Sequence, residues 1–323
     1  MIKPERSASA ATADAHPIPA RLNLAIMVAQ LAALAACFYA AARISGAGHI
    51  ALLCLGFSLL MNSVYSVIHE AEHGMLFPNR RANEAAGVLM ALFFPAPFHL
   101  LRQGHIGHHL RNRSDDEAFD LYFDGDNVVW KWMVWLGILT GLYYVLVILS
   151  NVVAAVAPFI LDRRHFRLED RVKVDRASAA FLESFNPAYL RWIRLEGTAA
   201  IALHVAIVAL LRIPLWHYAA MYASFGFTWS AMQYVHHFAT ERHVTRGARN
   251  LRLLGPVDAL LMNHNWHRAH HEHPTVPWLH LPAIGRAEAP ERGFLPWAYL
   301  KMWRGPRRTD EHVENKYAGR IIH

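Results

Sequence analysis

A chain of 323 residues that is 54% hydrophobic and only 18% charged, against about a quarter in ordinary soluble domains, does not read as a soluble globular protein. Its two cysteines, Cys37 and Cys54, both lie in apolar runs, which excludes a disulfide framework or a thiolate metal site. The net charge of +7 is a signature that nucleic-acid binders share, but here the cations fall beside apolar spans, so we expect basic loops at a membrane and no nucleic-acid partner.

Residues 1–21 are polar and rich in Ala and Ser, and predict a disordered arm. The apolar run after them is longer than a signal-peptide core, which favours an uncleaved span. Residues 22–323 read as one membrane domain whose last roughly 35 residues form a polar tail. Residues 22–42 and 49–68 are each long and apolar enough to cross a bilayer, and the short Ser/Gly-containing loop between them makes a hairpin. Residues 85–101 are apolar but interrupted by Pro95 and Pro97, and predict a broken or interfacial segment. Residues 132–161 contain no Lys, Arg, Asp or Glu. They read as a re-entrant or interfacial hairpin with Asn151 and Pro158 as its irregular points, and Trp130, Trp132 and Trp135 as an interfacial belt. After the charged stretch 162–196, residues 197–211 and 213–235 form a second apolar pair with a turn at Arg212 and Pro214. Placing the turns at Arg43 and Arg212 on one side leaves 30 of the 32 Lys/Arg on the other, which the positive-inside rule makes cytoplasmic. The expected architecture is an all-α, multi-pass integral membrane protein with about four transmembrane helices in two hairpins. A cytoplasmic helical cap completes it, in the inner membrane of a bacterium.

Thirteen of the 22 histidines lie in four short stretches, 69–73, 105–109, 236–243 and 264–273. The spacing of His105, His108 and His109 recurs in His267, His270 and His271; positions i, i+3 and i+4 share one helical face, and neutral imidazole is the commonest protein metal ligand. His69 and His73 add two more rings one turn apart. These eight candidates are enough for two metal ions with open positions. A zinc pair would normally include carboxylates or thiolates, whereas iron accepts imidazole-rich sites and binds dioxygen at vacant positions. Two Fe2+ ions, with dioxygen as co-substrate, is therefore the most economical fit. A rival exists: His69-Glu70-Ala71-Glu72-His73 also matches HExxH, in which two histidines bind zinc and the Glu acts as base of an intramembrane metalloprotease. That site needs one further ligand and leaves both HxxHH blocks idle. A histidine-rich transporter would set its ligands along a path through the bilayer, but these clusters lie beyond the helix ends. Glu70 and Glu72 are expected to orient ligating histidines through their ring N–H groups. Asp115, Asp116 and Glu117 either do the same or form a solvated acidic turn. His243, His264 and His273 flank the blocks as neighbours or surface groups.

HxxxH, then HxxHH some thirty residues on, then a final HxxHH after the last apolar runs resembles the three-box pattern of the membrane fatty acid desaturase and hydroxylase superfamily. Residues 263–278 resemble the last box of acyl-lipid desaturases and carotenoid ketolases, and the likeness covers residues 50–285, specific in its boxes and weak between them. It implies a further ligand at the end of the last membrane helix. In Gln233-Tyr234-Val235-His236-His237 that ligand is His237, with His236 the close alternative, and Gln233 and Asn263 stand among the polar groups around the site. Two departures are visible: Gln233 replaces the expected Asn, and Glu70 stands where Asp is common. The resemblance implies a non-haem di-iron oxidoreductase of lipid metabolism that attacks unactivated C–H bonds of a lipid or acyl chain, by fatty acid desaturation. Hydroxylation and carotenoid ketolation are the alternatives on the same site. The sequence has no dinucleotide fingerprint, Cys₄ cluster or haem-attachment motif, so electrons are expected from an external ferredoxin-like donor. Such a donor would dock on the basic surface between 162 and 196 or on the C-terminal tail, unless those charges only fix topology.

Overall fold

The computed structural model describes residues 16–157, 159 and 176–322. Most of the expected N-terminal arm, Pro158 and residues 162–175 of the basic stretch 162–196 lie outside the described residues. The architecture is helical and of membrane type. Helices α1 (Ala20–Ala41) and α2 (Ala47–Glu72) form the first hairpin, turned at Gly46, whose φ of 91° suits glycine. In α1 the buried positions Met27, Leu34, Phe38 and Ala41 follow a helical spacing against α2. Two polar residues on that face are satisfied, as an apolar surround requires: the Asn23 amide donates to Leu76 O (2.9 Å) and that of Gln30 to Ser63 Oγ (2.9 Å). Cys37 and Cys54 are free thiols, half-buried among these helices.

Helices α3 (Arg80–Phe93) and α4 (Phe98–Arg111) meet at 102° across the Pro95/Pro97 break, as the prolines predict. The Phe98 ring fills the place a Cβ on Gly87 would occupy, so the corner closes tightly. A two-residue strand, β1 (Leu121–Tyr122), follows. Helices α5 (Val128–Thr140) and α6 (Leu142–Val156) make a second bent pair at 95°. The bend corrects the expectation for this segment: the irregular point is Gly141, not Asn151. Gly141 has a φ of 91°, and a Cβ there would come within 2.9 Å of Phe227 Cα, so only glycine turns the chain here. Asn151 stays helical and donates to the Pro95 carbonyl. Trp135 is likewise no belt residue; it is fully buried and its Nε1 donates to Met302 O (2.9 Å).

After α7 (Arg176–Ser184) and a short 3₁₀ turn, α8 (Leu190–Leu211) and α9 (Leu215–Val235) form the second hairpin. Arg212 adopts a φ of 55° at its turn and Pro214 caps α9, as the sequence suggests. Among the described residues, three helical segments are long and apolar enough to cross a membrane (Ala20–Ala41, Ala47–Glu72 and Pro187–Leu211), and the two bent pairs add up to two more. Helix α9, expected as a span, has 21 residues but falls short of those segments in mean hydropathy, and it lies against α2 through Thr228, Ser58 and Asn62.

The polar cap comprises β2 (Leu251–Arg252), α10 (Gly255–Leu260), α11 (His267–Glu272), α12 (Leu281–Glu288), β3 (Gly293–Phe294), α13 (Leu295–Met302) and β4 (Arg307–Arg308). Strand β1 pairs in parallel with β4, and β2 with β3. The C-terminal polar segment folds back on the cap: Val313 N and the His312 ring both bond Asp115, the Asn315 amide donates to Asp116, and Ile322 N donates to Ser184 O.

Candidate metal centre

Four chain segments converge below the cap. The last turn of α2 and the residue after it present His69 and His73, the second half of α4 presents His105, His108 and His109, the turn after α9 presents His237, and α11 presents His267, His270 and His271. The nine rings sort into two groups, His69, His73, His105, His109 and His270 in one and His108, His237, His267 and His271 in the other. Within each group one nitrogen per ring lies within 4.8 Å of all the rest.

Each HxxHH block divides between the groups. His105 and His109, four residues apart, go to the first and His108 to the second. His267 and His271 go to the second and His270 to the first. Helical pitch causes this: at about 100° per residue, i+4 returns to within about 40° of i, whereas i+3 points about 60° to the other side. One short helix thus serves two centres.

The ring nitrogens face one another. Close Nε2···Nε2 approaches are His73–His105 at 2.7 Å, His105–His109 at 3.1 Å, His109–His270 at 3.0 Å, His108–His237 at 3.2 Å, His237–His267 at 3.0 Å and His267–His271 at 3.2 Å. The Nε2 of His69 is buried with no hydrogen-bond partner among the described residues. A neutral imidazole carries one N–H and one lone pair, so rings packed in this way cannot all be satisfied by each other. Burial, reinforced by neighbouring rings, holds His237, His267, His270 and His271 well below the ordinary imidazole pKa, in the neutral form that binds metal. Convergent neutral nitrogens, an orphaned buried acceptor and the absence of a carboxylate or thiolate from either group fit two cations that accept imidazole-rich sites.

The outer contacts differ from those expected. The Glu70 carboxylate is 4.0 Å from His69 Nδ1, too far to hold the ring, and its Oε2 accepts from Trp278 N (3.1 Å), pinning the segment after the last box to α2. The buried Glu72 carboxylate bonds no group among the described residues. The Gln233 amide donates to Trp229 O (3.2 Å) and that of Asn263 to Trp278 O (3.5 Å), and neither meets a histidine ring. The residues that do orient the site are Glu117, 3.4 Å from His108 Nδ1, and Gly247, whose carbonyl accepts from His237 Nδ1 (2.8 Å) and leaves Nε2 to face the group. Asn250 Oδ1 accepts from the first N–H groups of α11, those of Arg268 (3.0 Å) and Ala269 (3.3 Å).

His236 belongs to neither group; its Nε2 pairs with Asn265 Oδ1 (3.2 Å), and Asn265 in turn donates to Asp258 (2.6 Å). His264 lies between the groups, its ring 4.8 Å from that of His69 and 5.1 Å from that of His267. His243 is exposed, and His273 pairs with Glu288 at 2.7 Å away from the centre. Of the acidic turn, Glu117 faces the site while Asp115 and Asp116 hold the C-terminal segment. Sequence spacing carried no signal for Asn250, Asn265 or Gly247, which are near the rings only in space.

A buried ion pair braces the second group. Arg113, with no exposed surface, donates to Asp120, to Tyr234 Oη (2.6 Å) and to Thr240 O (3.0 Å), and Asp120 accepts from Ala239 N (2.7 Å). It joins the chain just after His109 to the chain on both sides of His237.

Comparison with known proteins adds two findings. The family model described as fatty acid desaturase matches residues 45–306. A β-carotene ketolase from Paracoccus sp. (strain N81106 / MBIC 01143) is 28% identical over 233 residues, 71% of this chain and 76% of the relative.

Proposed function

The chain belongs to the fatty acid desaturase family, and from that premise we propose that it is a membrane di-iron enzyme that uses dioxygen to desaturate a fatty-acyl chain. The observation that carries this reading is the sorting of nine histidines into two adjacent all-imidazole groups with shared helices. His69, His73, His105, His109 and His270 hold one iron; His108, His237, His267 and His271 hold the other. When bound, the iron pair would activate dioxygen, the oxidant that breaks an unactivated C–H bond.

The balance of the reaction defines the partners. Two C–H bonds break and a C=C bond forms, while two external electrons and two protons complete the reduction of dioxygen to two waters. The electrons come from a separate, ferredoxin-like carrier and the substrate from the surrounding lipid. The protein's part is to fix the rings: Gly247 O sets the tautomer of His237, Glu117 steadies His108, and burial keeps the imidazoles neutral. The site lies on the cytoplasmic face of a bacterial inner membrane in this reading.

A second reading keeps the site and changes the product. Insertion of oxygen, by hydroxylation or ketolation, is favoured by the ketolase relative. The HExxH zinc protease fits less well, because His69 and His73 share their group with three further histidines and Glu70 bonds a backbone N–H instead of facing a single ion.

The test combines metal analysis of purified protein with mass spectrometry of lipids from expressing cells, using His270→Ala as control. About two irons per chain and products lighter by two hydrogens, absent from the control, are expected of a desaturase. Products heavier by one oxygen indicate hydroxylation, and oxygen gained with two hydrogens lost indicates a ketone. One zinc per chain with unchanged lipids overturns the oxidase reading.

A further inference from the structure

A crevice of about 410 Å³ opens on the cap away from the histidine rings, and four cations line it: Arg246, Arg249, Arg268 and Lys301. Two acids, Glu241 and Glu291, also line it, so the cations remain in excess. Glu241 pairs with Arg246 (3.4 Å) and Glu272 with Arg268 (3.1 Å), but Arg249 and Lys301 pair with no carboxylate among the described residues.

One rim of the crevice is α13, which carries Lys301 and, one turn earlier, Trp297. The outward side of α13 is strongly apolar: Trp297 is 64% exposed, Leu300 53% and Trp303, just past its end, 48%. The Trp132 ring fills the space beside Gly305, so the first turns of α5, with exposed Val129, Trp130 and Met133, lie against the end of α13 and extend the apolar strip. A strip of this kind facing water would be a liability; it marks a surface that meets something apolar.

Depth identifies that something. Tyr299 of α13 donates to Leu139 O (3.0 Å) at the α5 bend, and its ring lies 6.2 Å from that of Phe227. Phe227 is eight residues before the end of α9, about 12 Å along the helix axis. Helix α13 therefore flanks the helical bundle instead of sitting above it, with its aromatic strip turned outwards and Lys301 and Arg304 beside it. Tryptophans at the boundary with cations alongside are the pattern of an interfacial helix on anionic lipid.

We propose that this crevice binds the headgroup phosphate of an anionic phospholipid from the surrounding bilayer, with the acyl chains running along Trp297 and Leu300. Arg268 lies between His267 and His270, so the bound headgroup rests on the back of the helix that serves both histidine groups.

The experiment uses full-length purified protein titrated with phosphatidylglycerol or phosphatidylcholine, with retained lipid read by native mass spectrometry. Phosphatidylglycerol is expected to bind about tenfold more tightly, and Lys301→Gln or Arg246→Gln each to reduce that preference several-fold. Trp297→Gln is expected to weaken retention of both lipids. Lys301 is exposed, so its variant keeps the fold, and an unchanged metal content checks this. Equal retention of the two lipids, or an undiminished preference in both cation variants, overturns the proposal. Complete displacement by inorganic phosphate would make the crevice a free-anion site and overturn it too. Loss of cross-linking to an acidic carrier protein in Lys301→Gln, with lipid preference intact, would overturn it in favour of a protein-docking surface.

Discussion

The two histidine groups are made of the same side chain but held differently. All five rings of the first come from α2, α4 and α11 or the residue directly following α2, so helix packing alone places them. The second takes His237 from the turn after α9, and relies on the Arg113–Asp120–Tyr234 bracket, the Gly247 carbonyl and Glu117 to seat its rings. The lesson is that helix packing alone places the first centre, whereas the second, with three of its four rings on the same helices, also needs long-range polar contacts. The two should fail separately.

The largest effect is expected for His270→Ala, which removes the ring that α11 gives the first group. Losing a ligand should cost more than the 10–100-fold typical of an outer partner, so turnover should fall by more than about 100-fold, measured by lipid product mass. Next comes Arg113→Met, which leaves the Asp120 carboxylate buried without its partner. We expect a loss of about 3–5 kcal/mol in denaturation experiments, with metal lost from the second group before the first. If both groups empty together, the comparison fails. Glu117→Gln should be milder, weakening metal at the second group by about 10–100-fold while the first keeps its ion, as followed by metal titration. The smallest effect concerns acid and the metal-free protein. Burial holds the folded imidazoles of His237, His267, His270 and His271 well below their ordinary pKa, so below about pH 6.5 the unfolded chain binds more protons than the folded one. Stability should be full above that pH and decline as pH falls through it, shown by a falling denaturation midpoint. Rings of both groups contribute, so this measurement tests what the centres share.

The sequence made the histidine blocks legible because their chemistry is written in fixed helical spacing: His105, His108 and His109 can be paired with His267, His270 and His271 without any structure. The Pro95/Pro97 break and the Arg212/Pro214 turn were equally plain, because proline acts on its own backbone. Gly141 was not, because a glycine inside an apolar run looks like any other small residue until the backbone of Phe227 is packed against it. Trp135 looked interfacial by its neighbours Trp130 and Trp132, yet its partner is a carbonyl 167 residues away. The carboxylates show the same limit. Glu70 and Glu72 adjoin histidines in the chain, whereas Glu117, nine residues beyond its ring, is the one that approaches it.

The division of each HxxHH block between the groups has a mechanical consequence. Helix α11 is six residues long and reaches both groups, so it behaves as a rocker. A small rotation about its axis would draw His270 away from one centre as His267 and His271 advance on the other, and α4 carries the mirror arrangement. The separation of the two centres is then set by the pitch of the α-helix, a quantity that loop mutations leave untouched, and metal uptake at one centre should work against uptake at the other, giving a shallower-than-hyperbolic loading curve.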